Sequence, residues 1–530
     1  DPDWTAITGG SSQIYCIDKG DHTGKGTLTL TASGTSDTRK VLRYYRSGDT
    51  DDEPWDQTSG NQAKIRGLVV NGSYWIIHRI TWPGITGTAP SPRIESGNTT
   101  TNHIFSRILV EGIFDDSRYY GYSQDCGAAP YSYLTVQNSV FRNQGPWDST
   151  SETIAIDMQC ANNSHVVNNE VYDWVSHAVQ LGSNWSGPSP RPTLANVVIE
   201  NNDFYITTAL YADCSGNYTE SGPCAASESL ISTKLSAVAG SPTRMIHNRV
   251  WGTRRTDMNL CCNGGSGAAI GNYDNNNYIL FQNNIIMDSQ MGINNIADNN
   301  SFIGNIFYWI RDFETSYPNR IIHRWNSHDG AANNVELYFN TIIQSGPEAS
   351  FPPLEDENTD TRCNVAIDSA DKVSGTPPAT SIADYNVFYG TTSFTFNGTS
   401  TNIDNTLNTR ANSTAYSLNA IIRTTATPPA DGTAGDFLYK VTVAGTSAGS
   451  PPSYTTILGG TTVDGTMTVR AIRGPYSFKR KLRTGAETVY IPYAAVHSSA
   501  PEYNNCTAAN MGSALGSRAG IGINDEKAGY

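Results

Sequence analysis

The stretch Phe281–Gly292, "FQNNIIMDSQMG", sets two asparagines directly before a short apolar run. The arrangement returns in "VQNSVF", "VNNEVY", "ENNDFY", "IHNRVW", "IGNIFY", "YFNTII" and "DYNVFY". Marking the Asn before or within each run gives Asn138, Asn169, Asn202, Asn248, Asn284, Asn305, Asn340 and Asn386, at spacings of 31, 33, 46, 36, 21, 35 and 46 residues. The shortest spacing fits one bare turn of a solenoid, and the longer ones fit the same turn carrying loop insertions. Each unit has a β-type run such as "ILFQNNIIM", a turn, and a second short run such as "MGINNIA". A helical repeat needs longer runs at a 3.6-residue period, which are absent, and a sandwich has no reason to keep an Asn register.

In a coil of parallel strands, an inward Asn at a sharp corner bonds its own backbone and the Asn one coil above, satisfying polar groups that no ladder reaches. The pattern therefore resembles an all-β, right-handed parallel β-helix (solenoid), expected over residues 61–410. Residues 1–60, with "GTLTLTASG" and "RKVLRYY", are expected to supply its first strands or the cap of its open end. After about residue 410 the rhythm stops. A linker, "TTATPPADGTAG", leads into a small C-terminal β module over 411–475, and residues 476–530 ("YSFKRKLRTGAETVYIPY" onward) suit a trimer contact.

Composition excludes several classes. A formal charge of −14 opposes phosphate neutralisation, so no nucleic-acid partner is expected. No run of about 18 apolar residues predicts membrane insertion. The sequence starts at Asp1 rather than Met, as expected of a trimmed or processed chain. Nine cysteines show no metal-ligand spacing and are expected to be mostly free thiols, Cys214 and Cys224 being able to pair across a loop.

The unit "DFLYKVTVAGTSAGSPPSYTTILGGTTVDGTMTV" resembles a small module of bacteriophage tail fibres and tailspikes, through Tyr439, Gly445, Thr446, Ser447, Pro452, Tyr454, Thr462, Val463, Asp464, Gly465 and Thr466. Joined to a β-helix, it makes a tailspike-like polysaccharide depolymerase the family the chain is similar to. That resemblance implies a homotrimer, other phage tail proteins as partners, a place on the virion tail and action on the host surface.

A β-helix lines up side chains from successive coils about 4.8 Å apart, a geometry that suits a polymer. Aligning the second run of each unit ("IAIDMQC", "HAVQLGS", "LISTKLS", "AAIGNYD", "GINNIAD", "IIHRWNS") brings together Asp157, Gln180, Lys234, Asn272, Asn295 and Arg324. The alternative for this column is an ordinary solvated outer face. Within it, "SESLISTK" resembles a motif of the family of chondroitinase B and β-helical alginate lyases. The resemblance implies Lys234 as base, but Ser227 and Ser229 stand where that family has calcium-binding glutamates, and "MNLCCNGG" lacks the expected Arg. No cofactor is expected. Calcium stays open through acidic loops such as "DENTD", and no metal ligand is assigned.

Glycoside hydrolysis needs two carboxyl groups flanking the scissile bond. Glu228 is the expected acid/base, with Asp157 or Asp257 as its partner. The basic groups Lys234, Arg254, Arg255, Arg320, His323 and Arg324, set against an acidic chain, favour an acidic bacterial exopolysaccharide or capsule. Trp147, Trp185, Trp251, Trp309 and Trp325 are either sugar-stacking platforms or packed aromatics. The expected activity is endo-acting hydrolysis. The rivals are a β-eliminating lyase centred on Lys234 and a non-catalytic polysaccharide-binding adhesin.

Overall fold

A computed structural model describes residues 4–8, 12–44, 62–84, 94–96, 100–112, 120–124, 131–144, 153–159, 161–174, 177–182, 193–207, 229–253, 268–272, 277–294, 297–310, 321–323, 334–343, 360–367, 382–384, 386–389, 403–405, 407–426, 429, 431–482 and 485–491. Strands from successive coils stack in parallel into three long sheets, which makes the chain a parallel β-helix. Among the described residues the first sheet has 13 strands, from Ile14–Ile17 to Ile382–Asp384. The second has 14, from Gly20–Asp21 to Ile403–Asn405, and the third has 10, from Thr27–Leu30 to Ile322–His323. A five-residue helix, Trp4–Thr8, places Ile7 and Trp4 against the core beside the first coil.

The paired asparagines of the sequence divide two tasks between them. In "QNN", Asn283 takes a left-handed backbone (φ 53°) and turns the chain between the first and second sheets, while Asn284 turns inward. The left-handed position is filled in successive coils by Asn138, Asn168, Asn201, His247, Asn283, Gly304, Phe339 and Cys363. Asn and Gly accept this conformation readily, whereas at Phe339 and Cys363 it is strained and survives because the corner is fixed by the stack beside it.

That stack runs Asn169, Asn202, Asn248, Asn284, Asn305, Asn340, Asn364 and Asn386. Each Nδ2 up to Asn364 donates to the next Oδ1 at 2.9–3.1 Å, and each Nδ2 from Asn169 to Asn386 donates to a first-sheet carbonyl of the preceding coil, as Asn284 does to Met245 at 2.8 Å. The backbone N–H of each ladder member up to Asn364 reaches the same Oδ1. The expected marker Asn138 is corrected to its neighbour: Asn138 is the left-handed residue, and Ser139 holds the ladder position, its N–H bonded to Asn169 Oδ1 and its Oγ accepting from Ile108 N. The long gap between Asn340 and Asn386 contains a full coil marked by Asn364.

Inside, columns of apolar residues meet. The first sheet contributes Leu42, Ile77, Phe105, Val136, Val166, Ile199, Met245, Phe281, Phe302 and Leu337, with Phe281 and Phe302 stacked at 4.7 Å. The third contributes Leu28, Leu68, Ile94, Tyr122, Ile156, Val179, Ile231, Ile270, Ile293 and Ile322. Just before that column the third sheet bends: the pairing skips the positions of Gly121, Ala155, Ala178, Leu230, Ala269 and Gly292. Two consecutive residues therefore face the core, and the first must be small where a ring lies above it. A Cβ on Gly121 would stand 2.5 Å from Ala155 O and 2.8 Å from the Phe141 ring, and one on Gly292 2.3 Å from Ile321 O and 3.0 Å from the Phe307 ring.

The outward side of the second sheet carries Tyr172, Tyr205 and Trp251 stacked at 5.2 and 4.3 Å, and it is also buried. It shares one apolar cluster with Ile421 and Leu438, and with Phe478 and Ile491 of the hairpin formed by Tyr476–Leu482 and Gly485–Ile491. Phe478 lies over the guanidinium of Arg249, which is paired with Asp203.

The five-stranded sheet of the C-terminal unit spans Leu407–Thr409 to Met467–Arg473. Its Thr-Val-x-Asp-Gly-Thr segment has a physical reason. Asp464 is fully buried and receives Arg410, the Tyr454 hydroxyl and the Ala448 N–H. Gly465 turns beside it at φ 66°, where a Cβ would lie 2.3 Å from Thr446 O. Of the described cysteines, Cys16 is free and exposed, whereas Cys363 is disulfide-bonded, which corrects the expectation of free thiols at that position. Cys214 and Cys224 lie outside the described residues.

Candidate active site

The third sheet is where the expected column of polar residues falls. Tyr122 packs on Phe105 inside the helix at 5.1 Å, so the residues that follow the inner column point outward. Strand register makes that outward row Glu95, Ser123, Asp157, Gln180, Ser232, Gly271 and Asn294, with the backbone of His323 next in register. Asp157 and Gln180 pair as expected. The other members are corrected by one or two residues: Ser232 replaces Lys234, Gly271 replaces Asn272, Asn294 replaces Asn295, and His323 replaces Arg324. A one-residue slip matters because it moves a side chain to the opposite face. Asn272 pairs with Thr233, one position beyond the row.

Lys234 follows the strand Ser229–Thr233, and its N–H donates to Leu181 O at 2.7 Å. Its side chain is buried beside Gly182. Glu228, Asp257, Arg254, Arg255, Arg320, Asn295 and Arg324 lie outside the described residues, as do Trp147, Trp185 and Trp325, and His323 and Asn272 are placed by backbone alone. Ser229, the neighbour of Glu228 in the chain, stands three strand residues before Ser232, roughly 10 Å along the strand from the Asp157 level.

The row is not a solvated face. Asp157 and Ser232 are completely buried, and Gln180, Asn294 and Ser123 are at most 8% exposed, while Glu95 is half-buried. Gln159 Nε2 donates to Asp157 Oδ2 at 2.9 Å, holding the carboxylate from the end of its own strand. Gln180 Nε2 reaches Gly182 O at 3.5 Å. At the start of the same strands a buried histidine, His177, sets its Nδ1 2.7 Å from Ser229 O and 3.4 Å from Ser229 Oγ. A carboxylate, an amide and a hydroxyl thus stand on successive strands along the helix axis, with a second amide two strands further on, across Gly271.

Glu95, Ser123, Ser232, Asn294 and His177 were not singled out from the sequence. Glu95 and Ser123 carried a signal, because each follows the apolar inner residue as Asp157 does. Trp251 is packed in the second sheet, whereas Trp309 is 41% exposed. Of the acidic stretch "DENTD", Asp360 gives both oxygens to Arg362 at 2.7 and 2.9 Å. Among the described residues no group of three or more His, Cys, Asp or Glu is arranged to hold a metal, and no helix is long and apolar enough to cross a membrane.

The sequence matches no protein-family model and no curated protein. Solved structures similar to the chain include a mannuronic acid specific polysaccharide family 6 lyase from human gut microbiota. It is 12% identical, with 76% of this chain and 79% of the other covered and a TM-score of 0.41. A rhamnogalacturonan lyase is 10% identical, covering 61% and 77%, with a TM-score of 0.36. A mutant tailspike protein of an E. coli bacteriophage, solved with a pentasaccharide, is 10% identical, covering 74% and 70%, with a TM-score of 0.33.

Proposed function

We propose that the protein is an endo-acting depolymerase that binds an acidic bacterial polysaccharide over the third sheet and cleaves it by hydrolysis. The observation that supports this reading is the outward polar row with its two carboxylates. Glu95 and Asp157 stand two strands apart across Ser123, so their backbones are about 9.6 Å apart before the side chains lean. That separation lies at the upper edge of the range for inversion, in which one carboxyl protonates the leaving oxygen and the other activates water on the opposite face. In this reading Glu95, the more exposed of the two, is the base, and Asp157, completely buried and held by Gln159, is the acid once substrate binding uncovers it. Glu228 and Asp257 remain the carboxylates nominated by the sequence for the same work. Arg254, Arg255 and Arg324 would meet the sugar carboxylates, and Gln180, Asn294 and His323 would line the row.

A homotrimer on a virion tail, acting on the host surface with other tail proteins, belongs to the same proposal. It draws on the tail-fibre resemblance of residues 411–475, which would act as an accessory carbohydrate-binding unit, and on residues 476–530 as contact between chains. The Cys363 disulfide suits action outside a reducing cytoplasm. Calcium is an optional addition, assigned no residue and no step.

The test is digestion of a panel of acidic bacterial exopolysaccharides, following new reducing ends and the ultraviolet absorbance of unsaturated sugar together. Reducing ends without absorbance are expected. Absorbance rising in step transfers the chemistry to elimination with Lys234 as base, and binding without product leaves an adhesin.

A further inference from the structure

Where the chain leaves the third sheet for the first, the coils turn through a column of outward residues. Carrying the first-sheet register back to this corner sets Arg39, Tyr74, Asn102, Tyr133, Asn163 and Asn196 on successive coils, with Tyr278 two coils beyond. Asn163 and Asn196 show what the corner asks of a residue: both are left-handed (φ 49° and 56°), and Asn196 Nδ2 donates to Asn163 Oδ1 at 2.9 Å. Tyr74, Tyr133 and Tyr278 hold the same left-handed conformation (φ 63°, 66° and 61°), which is strained for a bulky side chain and easy for Asn or Gly. The fold makes little use of these rings. Tyr133 is 54% exposed, and the side chains of Tyr133 and Tyr278 make no hydrogen bond and no ring contact. Arg39 lies over the Tyr74 ring at 5.8 Å and donates to Asn102 O at 2.6 Å, and it forms no ion pair among the described residues.

We propose that this corner is a second, non-catalytic binding ridge for the acidic polysaccharide, flanking the third sheet. It rests on the proposed polysaccharide reading and adds a site that holds the polymer between cuts. The exposed rings stack on the C–H faces of sugars, Asn102, Asn163 and Asn196 meet hydroxyls between them, and the Arg39 guanidinium takes a sugar carboxylate. At strand spacing the column runs about 34 Å from Arg39 to Tyr278, long enough for several sugars of one chain. The pattern fits a polymer better than a second copy of the protein. Beside it on the first sheet the outward row Val41, Ile76 and Ile104 is half-buried and changes to Thr135 and exposed His165 as the column continues, so the apolar area stays small.

The experiment compares the wild type with the double variant Tyr133→Asn/Tyr278→Asn and with Tyr133→Phe. The readouts are thermal unfolding, sedimentation, and initial rates on the panel exopolysaccharide that the wild type cleaves. Asn suits the left-handed corner better than Tyr, so the double variant is expected to melt at or above the wild-type temperature. Its KM for the polymer is expected to rise roughly 10-fold with kcat retained, the signature of binding lost away from the reacting bond. Tyr133→Phe keeps the ring and is expected to keep the wild-type KM. An unchanged KM in the double variant overturns the ridge and leaves the third-sheet reading standing. A marked fall in its melting temperature makes the rings structural and overturns the ridge too, as does an oligomer that the double variant dissociates, which gives the corner to a second copy. A wild type that neither binds nor cleaves any of the panel defeats the polysaccharide reading itself, and the ridge falls with it.

Discussion

Replacing Asn284 by Ala cuts the corner ladder at one rung. The side chain makes four hydrogen bonds: Nδ2 to Met245 O and Asn305 Oδ1, and Oδ1 from Asn248 N and Asn248 Nδ2, at 2.8–3.1 Å. Asn305 Oδ1 keeps the Asn284 backbone N–H, so three buried groups lose a partner: Met245 C=O, Asn248 N–H and one Asn248 Nδ2–H. An orphaned group costs about 1–3 kcal/mol, and a water drawn into the vacated space recovers part, so the loss should be about 3–5 kcal/mol. Because a solenoid is held by neighbouring coils, the damage should be local. Hydrogen exchange at the Asn248 amide, governed by local opening, should accelerate by about two to three and a half orders of magnitude, with little change about thirty residues beyond either neighbouring rung. Asn283→Gly keeps the left-handed turn and loses the 3.1 Å bond between Asn283 Nδ2 and His247 Nε2, so it should cost no more than about 1.5 kcal/mol. Exchange at Asn248 within about threefold of wild type would refute the ladder as a determinant of stability.

Burial, with Arg39 adding to it, holds the His103 imidazole at about 3. The unfolded chain takes up a proton near the ordinary value of 6.5 and the folded chain refuses it, so stability present above 6.5 is lost as pH falls toward 3. Between about pH 7.5 and 4.5 the loss should be about 3 kcal/mol, seen in urea midpoints and absent in His103→Phe. Asp436 runs the other way: burial raises it to about 6 despite the bonds it accepts from Gly432 and Asp431. The C-terminal unit should therefore gain about 2 kcal/mol as pH falls through about 6 to 4.5, measured by exchange of its core amides and flattened in Asp436→Asn. Asp464→Ala strands the buried Arg410 guanidinium and should cost about 3–5 kcal/mol in that unit, with Tyr454→Phe costing less.

The ladder was legible because a corner satisfied by a side chain needs one residue type, and seven of its eight members carry the marker expected from the sequence. Asn364 was passed over although "RCNVAI" sets an Asn before an apolar run just as "YFNTII" does, and Asn138 misled because its own task is the left-handed turn. The third-sheet row was half legible. Asp157 and Gln180 follow Ile156 and Val179 in clear alternation, but the bend sets Ala155 and Ile156, or Ala269 and Ile270, facing the core together. That breaks the period-two signal from which register is counted, and the slip from Ser232 to Lys234 and from Asn294 to Asn295 follows. Stacked aromatics on the second sheet were not separable from sugar platforms by sequence, since covering by Phe478 depends on a segment more than two hundred residues away.

The central claim is that the third-sheet row binds and cleaves the polymer. Its most direct test is a structure of the Asp157→Asn protein with an oligosaccharide of the substrate it cleaves. Sugar density crossing the coils over Glu95, Ser123, the substituted side chain and Gln180, with a glycosidic oxygen between the two carboxylate positions, is the predicted result. Density only on another face, or undiminished turnover in the variant, would contradict it.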